Sequence, residues 1–384
     1  MLITKKMSLR ALGVLLGFTL CTAAVAEVHK DTREHRFTTS EIAILNLAGA
    51  VKITGTEGKE LVVRAILTGE ARKADDARRN AELLSLDVQE QGDRVRIVTV
   101  YPVEEYDEYI YNRGEDDDGG FFGWNSRTTT SYMGERVAIR SGGDGLAAHV
   151  DYELLVPAGV TVTFENKVGT IQAENVDGEL RLDTSSGEIT VRGGEGDVTA
   201  DTGSGEIQVS DRKGDVFADT GSGGVIVSKV VGDVEADTGS GGVEVSDVTG
   251  DVAIDTGSGG ADLENVVGSI MVDTGSGGVD GRNLKNVREL EIDTGSGSVE
   301  LDGDFSALER MVIDTGSGGV RMRTTGSLNM QLSVSAGSGG VRVDLPGMSN
   351  VRSGHGEFEA TIGDGKGRGV IDTGSGGVRL TSSD

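Results

Sequence analysis

From Gly232 to Ser246 apolar and polar residues alternate, and the alternation breaks once. Val234 and Ala236 alternate with Asp233, Glu235 and Asp237. Thr238-Gly239-Ser240-Gly241-Gly242 interrupts, and then Val243 and Val245 alternate with Glu244 and Ser246. A period of two marks strands with one buried face. The unit is therefore two short strands joined by a glycine-rich corner, with a second corner around Asp247-Val248-Thr249-Gly250.

The unit recurs. Asp-Thr-Gly-Ser begins at Asp201, Asp219, Asp237, Asp255, Asp273, Asp293, Asp314 and Asp372. The first five copies are 18 residues apart, and later spacings loosen to 20 and 21. Asp183-Thr184-Ser185-Ser186-Gly187 and Glu165-Asn166-Lys167-Val168-Gly169 extend the frame upstream. Ser335-Ala336-Gly337-Ser338-Gly339-Gly340 and Arg352-Ser353-Gly354-His355-Gly356 fill the gap before Asp372. One unit cannot bury its own apolar face, so the units must stack. The prediction is an all-β fold: a parallel β-solenoid of about twelve rungs, each of roughly 18 residues, forming a rod of about 50 Å at about 4.8 Å per rung.

The residues chosen refine this expectation. The buried position before the corner is Ala200, Ala218 and Ala236, then Ile254, Val272, Ile292 and Ile313. That order predicts a rod that thickens toward its C-terminal end. The corner glycines suggest positive φ. The corner aspartates suggest Asx-turns to backbone N–H groups a few residues on.

Residues 161–384 thus form the repeat domain, and residues 27–160 read as a β-rich cap over one open end. In the cap, Asn46 to Ile53 looks like a degenerate rung. Glu60–Leu67 and Arg94–Val100 read as strands, and Ala71–Leu84 has the composition of a short helix. The pattern fails between 101 and 145, where acids crowd together with eight of the chain's aromatics. A long insertion of this kind is either a solvated acidic loop or a recognition loop. On the second reading Tyr106, Tyr109, Tyr111, Phe121, Phe122 and Trp124 supply contact area.

Residues 1–26 read as a cleaved signal peptide. Lys5, Lys6 and Arg10 precede the apolar Ala11–Leu20 run, and Ala24-Val25-Ala26 is a small-x-small cleavage site. Leu20 and Phe18 ahead of Cys21 do not suit a lipoprotein signal. The expected compartment is periplasmic, secreted or cell-surface. The mature chain would lack cysteine, so disulfides do not stabilise it. It also has no apolar run long enough for a membrane helix.

Composition narrows the function classes. Glycine accounts for 61 of 384 residues, proline for three, and no Gly-X-Y period is present, which excludes collagen. The net charge of −27 argues against nucleic acid and anionic lipid as partners. Asp-Thr-Gly-Ser is also the active-site string of aspartic proteases. Those enzymes bring two carboxylates face to face, whereas copies at rung spacing stack in a ladder. Calcium-binding β-rolls share the 18-residue turn but use Gly-Gly-x-Gly-x-Asp, which this repeat lacks. His29, His35, His149 and His355 have no metal-ligand spacing. Gly363-Asp364-Gly365-Lys366-Gly367 lacks the Ser/Thr and helix of a phosphate loop and reads as a corner. No catalytic, cofactor or metal residue is predicted. One exposed position of the second strand changes sign along the rod, from Glu244, Asp262, Asp280 and Glu300 to Arg321, Arg342 and Arg379. It implies pairing between rungs or a basic stripe for an acidic glycan.

Three stretches carry a resemblance: Leu47 to Ile53, Tyr152 to Val160, and the Gly-Asp-Val-x-Ala-Asp-Thr-Gly-Ser-Gly-Gly-Val rungs. In these the chain resembles a bacterial family of β-strand-repeat proteins labelled "putative adhesin", a domain of unknown function. The resemblance implies the fold and a non-enzymatic binding or envelope-scaffolding role, and it brings no catalytic residues. Cell-surface glycan or an envelope protein is the expected partner. The other readings are a periplasmic structural protein without adhesion and a polysaccharide-active enzyme on a parallel β-helix.

Overall fold

The computed structural model describes residues 26–112 and 126–383. Among these residues two sheets, of sixteen and eighteen strands, hold every strand, and there is a single helix, Ala74–Glu82. Each rung places its first strand in the sixteen-stranded sheet and its second in the eighteen-stranded sheet, as Val234–Thr238 and Val243–Thr249 do. Parallel pairing in strict register joins successive rungs. Val234 lies opposite Val216 and Val252, and Asp237 opposite Asp219 and Asp255. Inward residues of both sheets form one continuous narrow core.

The rung at 41–56 is genuine. Strand Glu41–Ala48 pairs in parallel with Thr161–Val168, and Val51–Thr56 pairs with Ile171–Glu174. A rung early in the sequence therefore stacks on one more than a hundred residues later. Strands Leu146–Pro157 and Arg94–Val100 cover its other side.

The C-terminal order departs from the sequence. Strand Gly367–Thr373 pairs in parallel with Arg310–Thr315 on one side and Met330–Ala336 on the other. Val378–Ser382 likewise lies between Val320–Thr324 and Val341–Asp344. The 367–382 rung is thus inserted between two rungs that precede it. The segment around Arg352-Ser353-Gly354-His355-Gly356 is not a rung. It joins Met348–Ser353 and Glu357–Ile362, an antiparallel pair laid against Met330–Ala336. The turn at 363–366 then carries the chain past the end of that strand. There the Gly367 N–H donates to the Asn329 carbonyl at 2.9 Å, and the Arg368 N–H to that of Glu309 at 2.9 Å.

The expected thickening also takes a different form. The inward row before the corner runs Ile44, Phe164 and Leu182, then three alanines, then Ile254 onward. Side-chain bulk is least in the middle of the rod, because the large residues that open the row lie outside the Asp-Thr-Gly-Ser motif.

The corners explain the repeat chemically. The Thr238 hydroxyl donates to the Gly223 carbonyl of the preceding rung at 2.9 Å and accepts the Gly241 N–H of its own corner at 3.0 Å. Thr202, Thr220, Thr256, Thr274 and Thr294 repeat both bonds. Threonine, rather than the Asx-turn aspartate expected from sequence, locks the corner. Threonine faces inward at that position and the aspartate outward. The corner glycine is demanded by close approach rather than by positive φ: a Cβ on Gly241 would lie 1.8 Å from the Gly223 carbonyl oxygen. Positive φ is absent from the Asp-Thr-Gly-Ser corners among the described residues; it occurs at Gly169 in an upstream corner, φ 131°, and at the second corner, as at Gly250, φ 156°.

At the second corner one column of residues adopts the left-handed conformation: Asn175, Asp211, Lys229, Asp247, Asn265 and Asn283, at φ between 52° and 57°. The Asp of each Gly-Asp-Val string pegs the register. One carboxylate oxygen of Asp215 accepts the Asp233 N–H at 2.9 Å, and that of Asp233 accepts the Asp251 N–H at 2.8 Å.

Arg212 breaks the pattern from within. It stands in a column that continues as Val230, Val248 and Val266, and it is 1% exposed. Gly194, one rung earlier, leaves room for it. A Cβ there would lie 2.6 Å from the Arg212 Nη1. The guanidinium donates to the carbonyls of Val176, Gly178, Gly193, Glu195 and Gly196 at 2.5–3.0 Å. Burial pushes the guanidinium's pKa down, while Asp177, Asp197 and Glu195 oppose that shift.

Candidate binding surface

The described tyrosines of the aromatic insertion turn largely inward. Tyr109 is completely buried and Tyr111 nearly so, and Tyr101 and Tyr132 are buried with them. Tyr101 meets Tyr109 and Tyr132 edge to face at 5.4 and 5.7 Å, and Tyr111 packs on His149 at 5.1 Å. The Tyr101 hydroxyl donates to the Ala48 carbonyl at 3.1 Å, and that of Tyr132 to the Thr99 carbonyl at 2.6 Å. These rings plug the end of the solenoid core, and burial drives the Tyr101 and Tyr132 hydroxyls well above the ordinary tyrosine range. Tyr109 and Tyr111 therefore offer no contact area to a partner. Tyr106 is half-buried against the same core. Phe121, Phe122 and Trp124 lie outside the described residues. Aromatic crowding in a segment without repeat pattern reads equally as a surface loop or as a plug, and Tyr109 and Tyr111 belong to the plug.

The corner carboxylates do stack. Glu165, Asp183, Asp201, Asp219, Asp237, Asp255, Asp273, Asp293, Asp314 and Asp372 occupy one outward row, and the row ends in neutral Leu45 and Ser335. Partial burial and then the neighbouring carboxylates raise the pKa of Asp183, Asp219, Asp237 and Asp314. Adjacent copies of one motif cannot form a face-to-face dyad in this arrangement, which removes the protease geometry. Among the described residues no three His, Cys, Asp or Glu converge as a metal-ligand group.

On the eighteen-stranded sheet the sign change along the rod is real. Asp280 pairs with Arg282 at 2.8 Å, Glu300 with Arg321 at 3.0 Å, and Asp302 with Arg323 at 3.1 Å. The inserted rung brings the arginines together. Arg321 lies opposite Arg379, and Arg379 opposite Arg342, so three exposed guanidinium groups occupy adjacent rungs. Sequence spacing orders these residues 321, 342, 379, but the fold orders them 321, 379, 342. A hollow of about 320 Å³ opens beside Arg321 and Arg323.

Residues 195–308 match the Toastrack DUF4097 family. This matched segment is the regular part of the rod. It begins just after Gly194, takes in Arg212, and stops before the inserted rung at the other end. The chain is also similar to a solved structure titled as a "putative cell adhesion protein" from Clostridium sporogenes ATCC 15579. That match has 10% identity and a TM-score of 0.17, and it covers 93% of this chain and all of the other. No curated protein matches the sequence. Among the described residues no helix is long and apolar enough to cross a membrane.

Proposed function

We propose that this chain is an exported, non-enzymatic β-solenoid with an adhesin-like binding or envelope-scaffolding role, and that Arg321, Arg379 and Arg342 engage an acidic glycan. The single observation behind the binding site is the stacking of these arginines in adjacent rungs of a strongly acidic protein. Arg321 has Glu300 as a partner, whereas Arg379 and Arg342 form no ion pair among the described residues. Guanidinium forks suit carboxylate and sulfate groups, and repeating sugars suit a regular array. The solenoid supplies the rigidity that holds the array.

A glycan array probed with the mature chain tests the site. Sulfated or uronic-acid polymers bind and neutral ones do not, and Arg379→Gln with Arg342→Gln abolishes retention. Equal retention of neutral glycans, or an unchanged double variant, overturns the assignment. Surface proteolysis of intact cells with a tagged chain tests the location. Protection from added protease refutes adhesion and leaves a periplasmic structural role.

A further inference from the structure

The outer face of the sixteen-stranded sheet has a different chemistry. A groove of about 500 Å³ runs along the rod from the rung of Asp197 to that of Arg310. One side is a comb of exposed carboxylates: Asp197, Asp215, Asp233 and Asp251. The other side is a mixed ridge in which Phe217 and Met271 are 36% and 54% exposed.

The comb is fixed rather than floppy. Each of its aspartates spends one oxygen on the N–H of the next rung, at 2.7–3.0 Å. The residues themselves remain exposed. Among the described residues Asp215, Asp233 and Asp251 have no cationic side chain as partner. Six rung intervals at about 4.8 Å give a groove roughly 29 Å long, with the comb and the ridge roughly 6.7 Å apart, two residues along each strand.

We propose that this groove binds an extended polypeptide segment in which basic and apolar residues alternate. An extended chain sends successive side chains to opposite sides. Laid along the rod, it turns alternate residues, about 6.6 Å apart, toward the side whose four carboxylates span about 14 Å, and the others toward the ridge that carries Phe217 and Met271. At about 3.3 Å per residue, roughly nine residues fill the length. Nucleic acids and anionic lipids carry the charge of the comb and are repelled. A linear polyamine satisfies the comb but leaves Phe217 and Met271 uncovered, so the apolar ridge favours a polypeptide. The groove and the arginine array lie on opposite sheets, so either can fail without the other.

The probe is a labelled nine-residue peptide alternating Arg and Val, titrated against the mature chain by fluorescence anisotropy. Controls are the same residues in block order and spermine as a competitor. The alternating peptide binds at least tenfold more tightly than the block peptide. Replacing Asp215, Asp233 and Asp251 by Asn weakens it at least tenfold. Asparagine keeps the acceptor oxygen for the rung N–H, so the fold is retained and circular dichroism checks this. Phe217→Ser with Met271→Ser, two exposed changes, lowers affinity without altering the salt dependence. Equal binding of the two peptides, full displacement by stoichiometric spermine, or an unchanged Asn variant overturns the proposal.

Discussion

Replacing Arg212 by Met removes the five hydrogen bonds that its guanidinium donates, and methionine has no donor to replace them. Each bond from a charged donor contributes about 1.5–3 kcal/mol, so the gross loss is about 7–15 kcal/mol. Burying a guanidinium costs several kcal/mol, and the variant recovers that cost. The balance is a destabilisation of about 3–5 kcal/mol, because buried carbonyls lose their donor. The damage should be local. Rungs communicate through nearest neighbours, so a single global unfolding free energy describes such an array poorly. Hydrogen exchange is the appropriate assay: amides of residues 176–180 and 193–198 lose protection while those beyond residue 250 keep theirs. A graft sharpens the test. Replacing Gly193-Gly194-Glu195-Gly196 by the Asp-Val-Thr-Gly of residues 247–250 fills the space that the guanidinium uses. With Arg212 retained, the graft destabilises; combined with Arg212→Val, it restores a uniform valine column and most of the protection. A coupling below about 0.5 kcal/mol between graft and substitution would refute the account of Arg212 as filler and donor for a glycine-vacated corner.

Thr238→Val keeps the side-chain shape but loses the bonds to Gly223 and Gly241; it should cost about 1–3 kcal/mol, read from the urea midpoint. Lys229 sits in the left-handed column at φ 54° without the side chain that tolerates it. Lys229→Asn should gain about 0.5–1 kcal/mol even after losing the exposed Asp211 ion pair, and a lower melting temperature would count against it. The corner carboxylates set a pH dependence. Asp183, Asp219, Asp237 and Asp314 have folded pKa values above the ordinary 3.8, so the folded state takes up protons before the unfolded one. Thermal stability therefore rises as pH falls from neutrality through the raised folded values. It declines below the ordinary range, where Glu34, Asp93 and Glu195, whose pKa values are lowered, lose their bonds. A melting temperature that falls steadily from pH 7 to pH 5 would contradict this.

The rod was legible in the sequence because its physics is periodic. Alternation in Val234–Ala236 and Val243–Val245 gives strands, and an 18-residue recurrence gives stacking in register. What stayed hidden depends on contacts without period. Nothing in Asp372-Thr373-Gly374-Ser375 tells where along the rod that rung inserts, because every rung presents the same edges to its neighbours. Tyr109 and Tyr111 fall in a segment whose neighbours are fixed only by the fold, so burial could not be read from composition. The Gly194–Arg212 pair was open to discovery: a glycine and an arginine replace valine one rung apart in a single column. The threonine lock was visible as well, since Thr recurs in every Asp-Thr-Gly-Ser, but the aspartate drew the chemical reading.

The inserted rung also has a mechanical meaning. A solenoid whose last-numbered rung is also its outermost can be peeled from that end, one strand interface per sheet at a time. Here a pull applied at Ser382 acts on a rung flanked by neighbours on both sides in both sheets. Extracting it means shearing four interfaces together, or first shedding the 330–362 segment that closes over it. That end of the rod is built as a latch, with greater resistance to tension than its repeat sequence alone would confer.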